Sequence, residues 1–301
     1  MCNRGGFRCA QSRMCGRFYL VTPVDQIIRA FGVSPLLAPK TATPRFNIAP
    51  QQRILMVRSA SEPKDHSKDQ ARELTSVSWG FVPAWSKSPV TALKTINARA
   101  ESAFDTPMFR DAIRKRRGLV PADGWYEWKT DEATGAKAPY LFRVLDDAGL
   151  PAIFALAALW ERWVSPDAVS AIELESCALM TTSANQTCAA IHNRMPLILP
   201  SNNWQQWLDS PASEARTLRE LMVPFPSERI QATRVSSIVN NARNELPACI
   251  EPVTNESLRT VVDCPGTPNE FIKTHLVSTK ARHKDAPTRS NDAQGGLFHQ
   301  G

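Results

Sequence analysis

The sequence is short of the residues that build metal sites, disulfide frameworks and membrane spans. Its seven cysteines, at 2, 9, 15, 177, 188, 249 and 264, include no Cys-x-x-Cys pair and, being odd in number, cannot all pair with one another. Only five histidines exist, and four of them fall in a charged stretch (His66) or near the C-terminus (His275, His283, His299). Neither a metal nor a cofactor is expected from such a set. No run approaches the length of apolar sequence that spans a membrane, and the polar first residues carry Arg4, Arg8 and Arg13, so no secretory leader is expected either. Unpaired thiols fit a reducing, cytoplasmic setting. Neither a Gly-rich phosphate loop nor an internal repeat is present.

What is there is globular. Of 301 residues, 43% are hydrophobic and 22% charged, which excludes collagen-like, coiled-coil and wholly disordered chains. The formal net charge of +7 is modest for that length, so its distribution matters more than its size. Arg110, Arg114, Lys115, Arg116 and Arg117 face one acid, Asp111, within eight residues. Such a cluster is either a phosphate-binding patch or a solvated helix face.

Residues 1–14 read as an N-terminal extension, 15–252 as one domain, and 253–301 as a polar, disordered tail. A first helix is signalled by Thr22 as N-cap, Pro23 at the first helical position, Ile27, Ile28 and Phe31 on one side, and Gly32 as the stop. Two more are expected, from Pro107 to Arg117 and from Ser201, where Trp204, Trp207 and Leu208 have the spacing of core anchors. Strand-like runs outnumber them: 54–58, 74–82, 118–128, 140–145, 153–160, 178–182, 196–199 and 230–235. His66–Glu73 and Asp131–Lys137 read as surface loops. The class is α+β and β-rich.

Four places carry polar groups that could do chemistry. Cys15 lies in Met14-Cys15-Gly16-Arg17-Phe18, Asn97 in Ile96-Asn97-Ala98-Arg99, Glu127 in Gly124-Trp125-Tyr126-Glu127-Trp128, and His192 in Ile191-His192-Asn193-Arg194-Met195-Pro196. Asn97 can equally be a turn residue, Glu127 a solvent-facing carboxylate, and His192 a core imidazole. If Glu127 is buried among its aromatic neighbours it becomes a usable proton donor. Cys177 and Cys188 read as buried small hydrophobes, and Cys249 and Cys264 fall near the domain's end.

Taken together with Arg45-Phe46-Asn47-Ile48-Ala49-Pro50, Trp79-Gly80-Phe81-Val82-Pro83-Ala84-Trp85 and Asn97-Ala98-Arg99-Ala100-Glu101-Ser102, these motifs make the chain resemble the SOS-response-associated peptidase (SRAP) family. The resemblance covers Cys15 to about Pro252 and implies a single barrel-like β-rich domain with peripheral helices. It also implies a protein that binds single-stranded DNA and traps abasic sites covalently, a task for which a monomer suffices. Cys15 would be the reactive N-terminal cysteine, with Asn97, Glu127 and His192 in the active site. Arg99 and Arg194 would hold phosphates, and Asn47, Pro50 and Trp79 would shape the DNA surface.

Only a cysteine at the N-terminus offers an amine and a thiol to one aldehyde. Its α-amine, with a pKa of about 7.7 to 8.0, is partly neutral near neutral pH, whereas a lysine near 10.4 is not. Amine attack gives a Schiff base, and the thiol of the same residue then closes a thiazolidine ring. Here Cys15 is not residue 2. Translation from Met14 would remove three arginines and no acid, lowering the formal charge from +7 to +4, and would expose Cys15. Cleavage before Cys15, through the peptidase activity that the family's name suggests, would serve equally. Two other readings fit the residues: a cysteine hydrolase using Cys15 with His192, and a non-catalytic single-stranded DNA-binding module.

Overall fold

The computed structural model describes residues 16–60, 71–89, 94–166, 172–211 and 213–253. The expectations for the 1–14 extension, Cys15, most of the His66 loop and the tail from 254 lie outside the described residues. Residue 253, assigned above to the tail, is still held by the domain, its N–H donating to the Arg234 carbonyl at 3.0 Å.

Two sheets make up the architecture. The larger contains β3 (Arg53–Ser59), β4 (Arg72–Trp79), β6 (Arg117–Ala122), β10 (Phe154–Val164) and β11 (Glu173–Ser183). Within it β11 pairs β4, β4 pairs β3, β3 pairs β6, β6 pairs β10, and β10 returns to β11. The circuit is a closed five-stranded barrel, antiparallel except for the β11–β4 contact. Closure removes the exposed sheet edge that an open arrangement would leave. Beside it, β5 (Asn97–Arg99) runs parallel to the second half of β11, while β12 (Arg194–Pro196) pairs β11 and β13 (Ile198–Leu199) pairs β10.

The second sheet has the order β14 (Ile230–Arg234), β8 (Lys137–Leu145), β7 (Gly124–Thr130), β1 (Phe18–Leu20), β2 (Arg45–Ile48), with β9 (Pro151–Ala152) pairing β8. Phe18, Trp125 and Phe142 point from it into the main core. Tyr19, Tyr126 and Leu141 point the other way, under a cover of Val235, Val239 and Cys249. Alternation along β1 and β7 therefore serves two cores, the period-two logic of a strand buried on both faces. Gly124 is required by closeness: a Cβ there would lie 2.5 Å from the Phe142 carbonyl oxygen.

Helices are few and short: α1 (Val24–Phe31), α2 (Arg110–Lys115), α3 (Gln186–Ala189), α4 (Trp204–Asp209) and α5 (Ala215–Glu220). None among the described residues is long and apolar enough to cross a membrane. α1 buries Val24, Ile27 and Phe31 and stops at Gly32, whose φ of 61° suits glycine. Thr22 does not cap it. Pro23 takes that place, and Thr22 is engaged by Asp123 instead. α2 is shorter than the expected 107–117 helix because Arg117 already belongs to β6. The expected 118–128 strand divides at Asp123, where the chain passes from one sheet to the other. Trp204 and Trp207 are buried, as their spacing suggested.

Candidate active site

β1 carries the chain away from Cys15 along β7. Phe18 is opposite Trp125, and the Tyr126 N–H donates to the Arg17 carbonyl at 2.9 Å. Glu127, next to Tyr126 on β7, is only 3% exposed, so the carboxylate is a buried one and not the solvent-facing alternative.

Glu127 has Cys188 as an electrostatic neighbour. Burial pushes the Cys188 thiol up to about 12, and the Glu127 charge pushes the same way. Cys188 lies in α3, started by Asn185, whose Oδ1 accepts the Cys188 N–H at 2.9 Å. The Cys188 carbonyl in turn accepts the His192 N–H at 2.9 Å. One short helix thus holds the imidazole-bearing turn and carries the thiol that feels the buried Glu127 charge. His192 Nδ1 lies 3.1 Å from the Arg194 N–H nitrogen and 3.3 Å from the Arg194 carbonyl oxygen.

β5 brings in two more groups. Asn97 is opposite Leu179 and Arg99 opposite Thr181. Ala98 between them is fully buried, so Asn97 and Arg99 share the face turned from the core. Arg99 is exposed and Asn97 half-buried. On the other side of β11, Arg194 is opposite Ser183; its guanidinium donates to both oxygens of Glu101, at 2.5 and 2.9 Å, and to the Thr181 carbonyl at 2.8 Å. That hydrogen bonding, with the Arg194 and Arg99 charges, holds the Glu101 carboxyl below the usual range. The end of β11 therefore gathers Asn97, Arg99, Glu101, His192 and Arg194, and Glu127 is an electrostatic neighbour of the Cys188 that precedes His192.

Two expected surface residues, Trp79 and Asn47, are placed in the interior. Trp79 is fully buried, its Nε1 donating to the Ile96 carbonyl and its ring edge-on to Phe18 at 5.4 Å, so it offers DNA no face. In the same motif Trp85 is 69% exposed, and Pro83 two residues earlier was the available sign of a loop there. Asn47 is also fully buried: Nδ2 donates to the carbonyls of Val239, Asn241 and Asn244, while Oδ1 accepts from Arg17 at 2.7 Å. It fastens the 239–244 loop and cannot contact a strand of DNA. Pro50 is half-buried in the turn after β2.

The basic cluster is likewise divided. Arg117 is buried, giving its donors to the carbonyls of Trp207, Ile113, Arg114, Leu208 and Ser210, and Arg116 pairs with Glu161 at 2.6 Å. Arg110 and Lys115 are exposed and Arg114 half-buried, so two of the five charges serve the fold. Two participants were not singled out by the sequence: Glu101, and Arg17, whose guanidinium lies 5.7 Å over the Trp128 ring and is pushed below its usual pKa by burial. A cleft of 640 Å³ lined by Tyr19, Thr22, Gln26, Asp123 and Pro151 contains none of the candidate residues. Among the described residues no three His, Cys, Asp or Glu side chains are grouped to hold a metal ion.

Residues 14–242 match the family described as SOS response associated peptidase (SRAP). The chain belongs to the SRAP family. It is 35% identical over 239 residues to a Bacillus subtilis (strain 168) relative named abasic site processing protein YoqW, covering 79% of this chain and 99% of that one. A Gallus gallus relative, abasic site processing protein HMCES, is 27% identical over 229 residues, covering 70% of this chain and 66% of that one. The SRAP fold also superimposes on the crystal structure of a Bacteroides thetaiotaomicron protein with a TM-score of 0.66 at 24% identity, covering 80% of this chain and all of that one.

Proposed function

We propose that this SRAP chain processes abasic sites in single-stranded DNA by bonding covalently to them through Cys15. The observation that carries the reading is the β1–β7 pairing, in which Phe18, three residues after Cys15, is opposite Trp125 and the Arg17 carbonyl accepts from Tyr126, the neighbour of the buried Glu127. The relatives' names supply the substrate class.

An opened abasic sugar is an aldehyde. The free α-amine of Cys15 adds to its carbonyl carbon to give a carbinolamine, which loses water to a Schiff base. The thiol then adds across the C=N bond, its proton passing to nitrogen, and a thiazolidine closes with net loss of one water. Glu127 moves protons for carbinolamine dehydration, His192 for opening of the sugar ring, and Asn97 orients the amine or the aldehyde oxygen. Arg99 and Arg194 hold flanking phosphates, and Trp85 gives a base a surface on which to stack. One site traps one lesion, so a monomer suffices. The free amine requires that the mature chain begin at Cys15, by initiation at Met14 or by cleavage before Cys15.

The test is intact mass before and after incubation with single-stranded DNA bearing one abasic site. A protein beginning at Cys15 is expected to gain the mass of the DNA less one water, in a heat-stable product absent from Cys15→Ala. Acetylation of the α-amine should abolish that product. An adduct that survives acetylation would favour simple thiolate attack, as in the cysteine hydrolase reading. No adduct at all would overturn the proposal and leave non-covalent binding as the alternative.

A further inference from the structure

Arg194 is held more tightly than a phosphate-binding arginine at a surface needs to be. Both Nη atoms donate to Glu101, Nη2 also donates to Thr181, and Nε is buried without a hydrogen-bond partner. The Arg194 side chain is 15% exposed and that of Glu101 52%, so the acid is the solvent-facing member of the pair. Planar guanidinium donors fit a carboxylate and a phosphate with the same two-pronged geometry. Glu101 therefore occupies the donors that a DNA phosphate would use. Arg99, exposed and two residues earlier, is the remaining cation beside the pair.

We propose that Glu101 is an internal stand-in for a DNA phosphate, a counter-ion that occupies the Arg194 fork and keeps reversible binding to intact single strands weak. The proposal rests on the reading that this site takes DNA. A strand must displace the carboxylate to gain Arg194, and with Glu101 charged the trio of Arg99, Glu101 and Arg194 presents one net positive charge instead of two. Weak reversible binding is compatible with lesion capture because the covalent bond, once formed, does the retaining. Intact DNA forms no such bond and is released.

Glu101→Gln preserves the shape and one acceptor oxygen while removing the charge. Binding of an intact, fluorescently labelled single-stranded oligonucleotide to the full chain is measured by anisotropy across a salt series. Glu101→Gln is expected to bind at least about threefold tighter, with the slope of log affinity against log salt steeper by about 0.7, the increment of one further phosphate contact on a single strand. Glu101→Asp, which keeps the charge, should retain the wild-type slope. In an Arg194→Ala background the Glu101→Gln change should have less than about a twofold effect, since the fork it releases is gone. Equal or weaker binding by Glu101→Gln, or an unchanged slope, overturns the proposal while wild-type binding and adduct formation leave the functional reading intact. Failure of the wild-type protein beginning at Cys15 both to bind and to form an adduct overturns both.

Discussion

Thr22 donates its backbone N–H and its hydroxyl to the carboxylate of Asp123, at 2.8 and 2.6 Å, across 101 residues of sequence. The Val21 N–H adds a third bond at 2.6 Å. Asp123 is also where the chain leaves β6 for β7, so one side chain ties the entry of α1 to the junction of the two sheets. Bonds to a charged group contribute more than neutral ones, and they are not independent of each other. Asp123→Ala is expected to cost about 3 kcal/mol. Urea unfolding should show a lower midpoint with an unchanged slope, and Asp123→Asn, which keeps one acceptor oxygen, a smaller loss.

The two tryptophans of the Trp79–Trp85 motif should respond in opposite ways. Trp79→Ala opens a cavity in the core and strands the Ile96 carbonyl, with an expected loss of stability of about 3 to 5 kcal/mol. Trp85→Ala, at an exposed position, should leave the melting temperature close to wild type and weaken single-stranded DNA binding by about 1 to 3 kcal/mol if a base stacks there. Melting curves and binding isotherms on both variants separate the two roles. Unchanged DNA affinity in Trp85→Ala would remove the stacking contribution.

Glu127→Gln keeps the size of the buried group and removes its capacity to exchange a proton. Proton transfer by a positioned side chain accounts for about 10² to 10⁴ in rate, so adduct formation should slow by at least about a hundredfold. Affinity for intact DNA should stay within about threefold, because a carboxylate is not a phosphate ligand. Time courses on denaturing gels give the first quantity and anisotropy the second.

Burial sets the pH behaviour of the internal thiols. Cys188 is pushed up to about 12 and Cys177 also upward, against an ordinary 9.0, by desolvation first in both cases. Iodoacetamide at pH 8 should modify neither in the native protein and both after denaturation, as read by peptide mass spectrometry. For stability the sign follows from tighter proton binding in the folded state. The contribution of Cys188 is fully present below about pH 9 and is lost as pH rises toward 12, so the urea midpoint should fall through that interval. A midpoint that rose with pH there would contradict the burial.

Dense apolar strands were legible in the sequence because their pattern is long enough to read. β10 was recognised from Ile153 to Trp160 but continues to Val164, since Glu161 interrupts the apolar run while pairing with Arg116. β1, β2 and β5 have three or four residues each, too few for any period to show, and they exist through pairing with distant strands. The identities of Asn97, Glu127 and His192 came from motifs, but the burial of Glu127 and the α3 connection to His192 are tertiary facts. So is the Arg194–Glu101 pair, separated by 93 residues. Pro83 is the sequence sign that sets Trp85 in a loop; that Trp79 ends β4 with its ring in the core is a tertiary fact.

The grip of Glu245 on the amides of Phe46 and Asn47, and on Arg45 across 200 residues, has a consequence for synthesis. The strands that follow Cys15 are made first, yet the loop that Asn47 fastens is made about 200 residues later. At ribosomal rates of about 5 to 20 residues per second, the nascent chain spends about 10 to 40 seconds with those amides unmatched. The end of the domain that follows Cys15 is therefore translated early and finished late. Its surroundings take their final form only when residues 239–245 have left the ribosome, which places completion of the site among the closing events of the chain's manufacture.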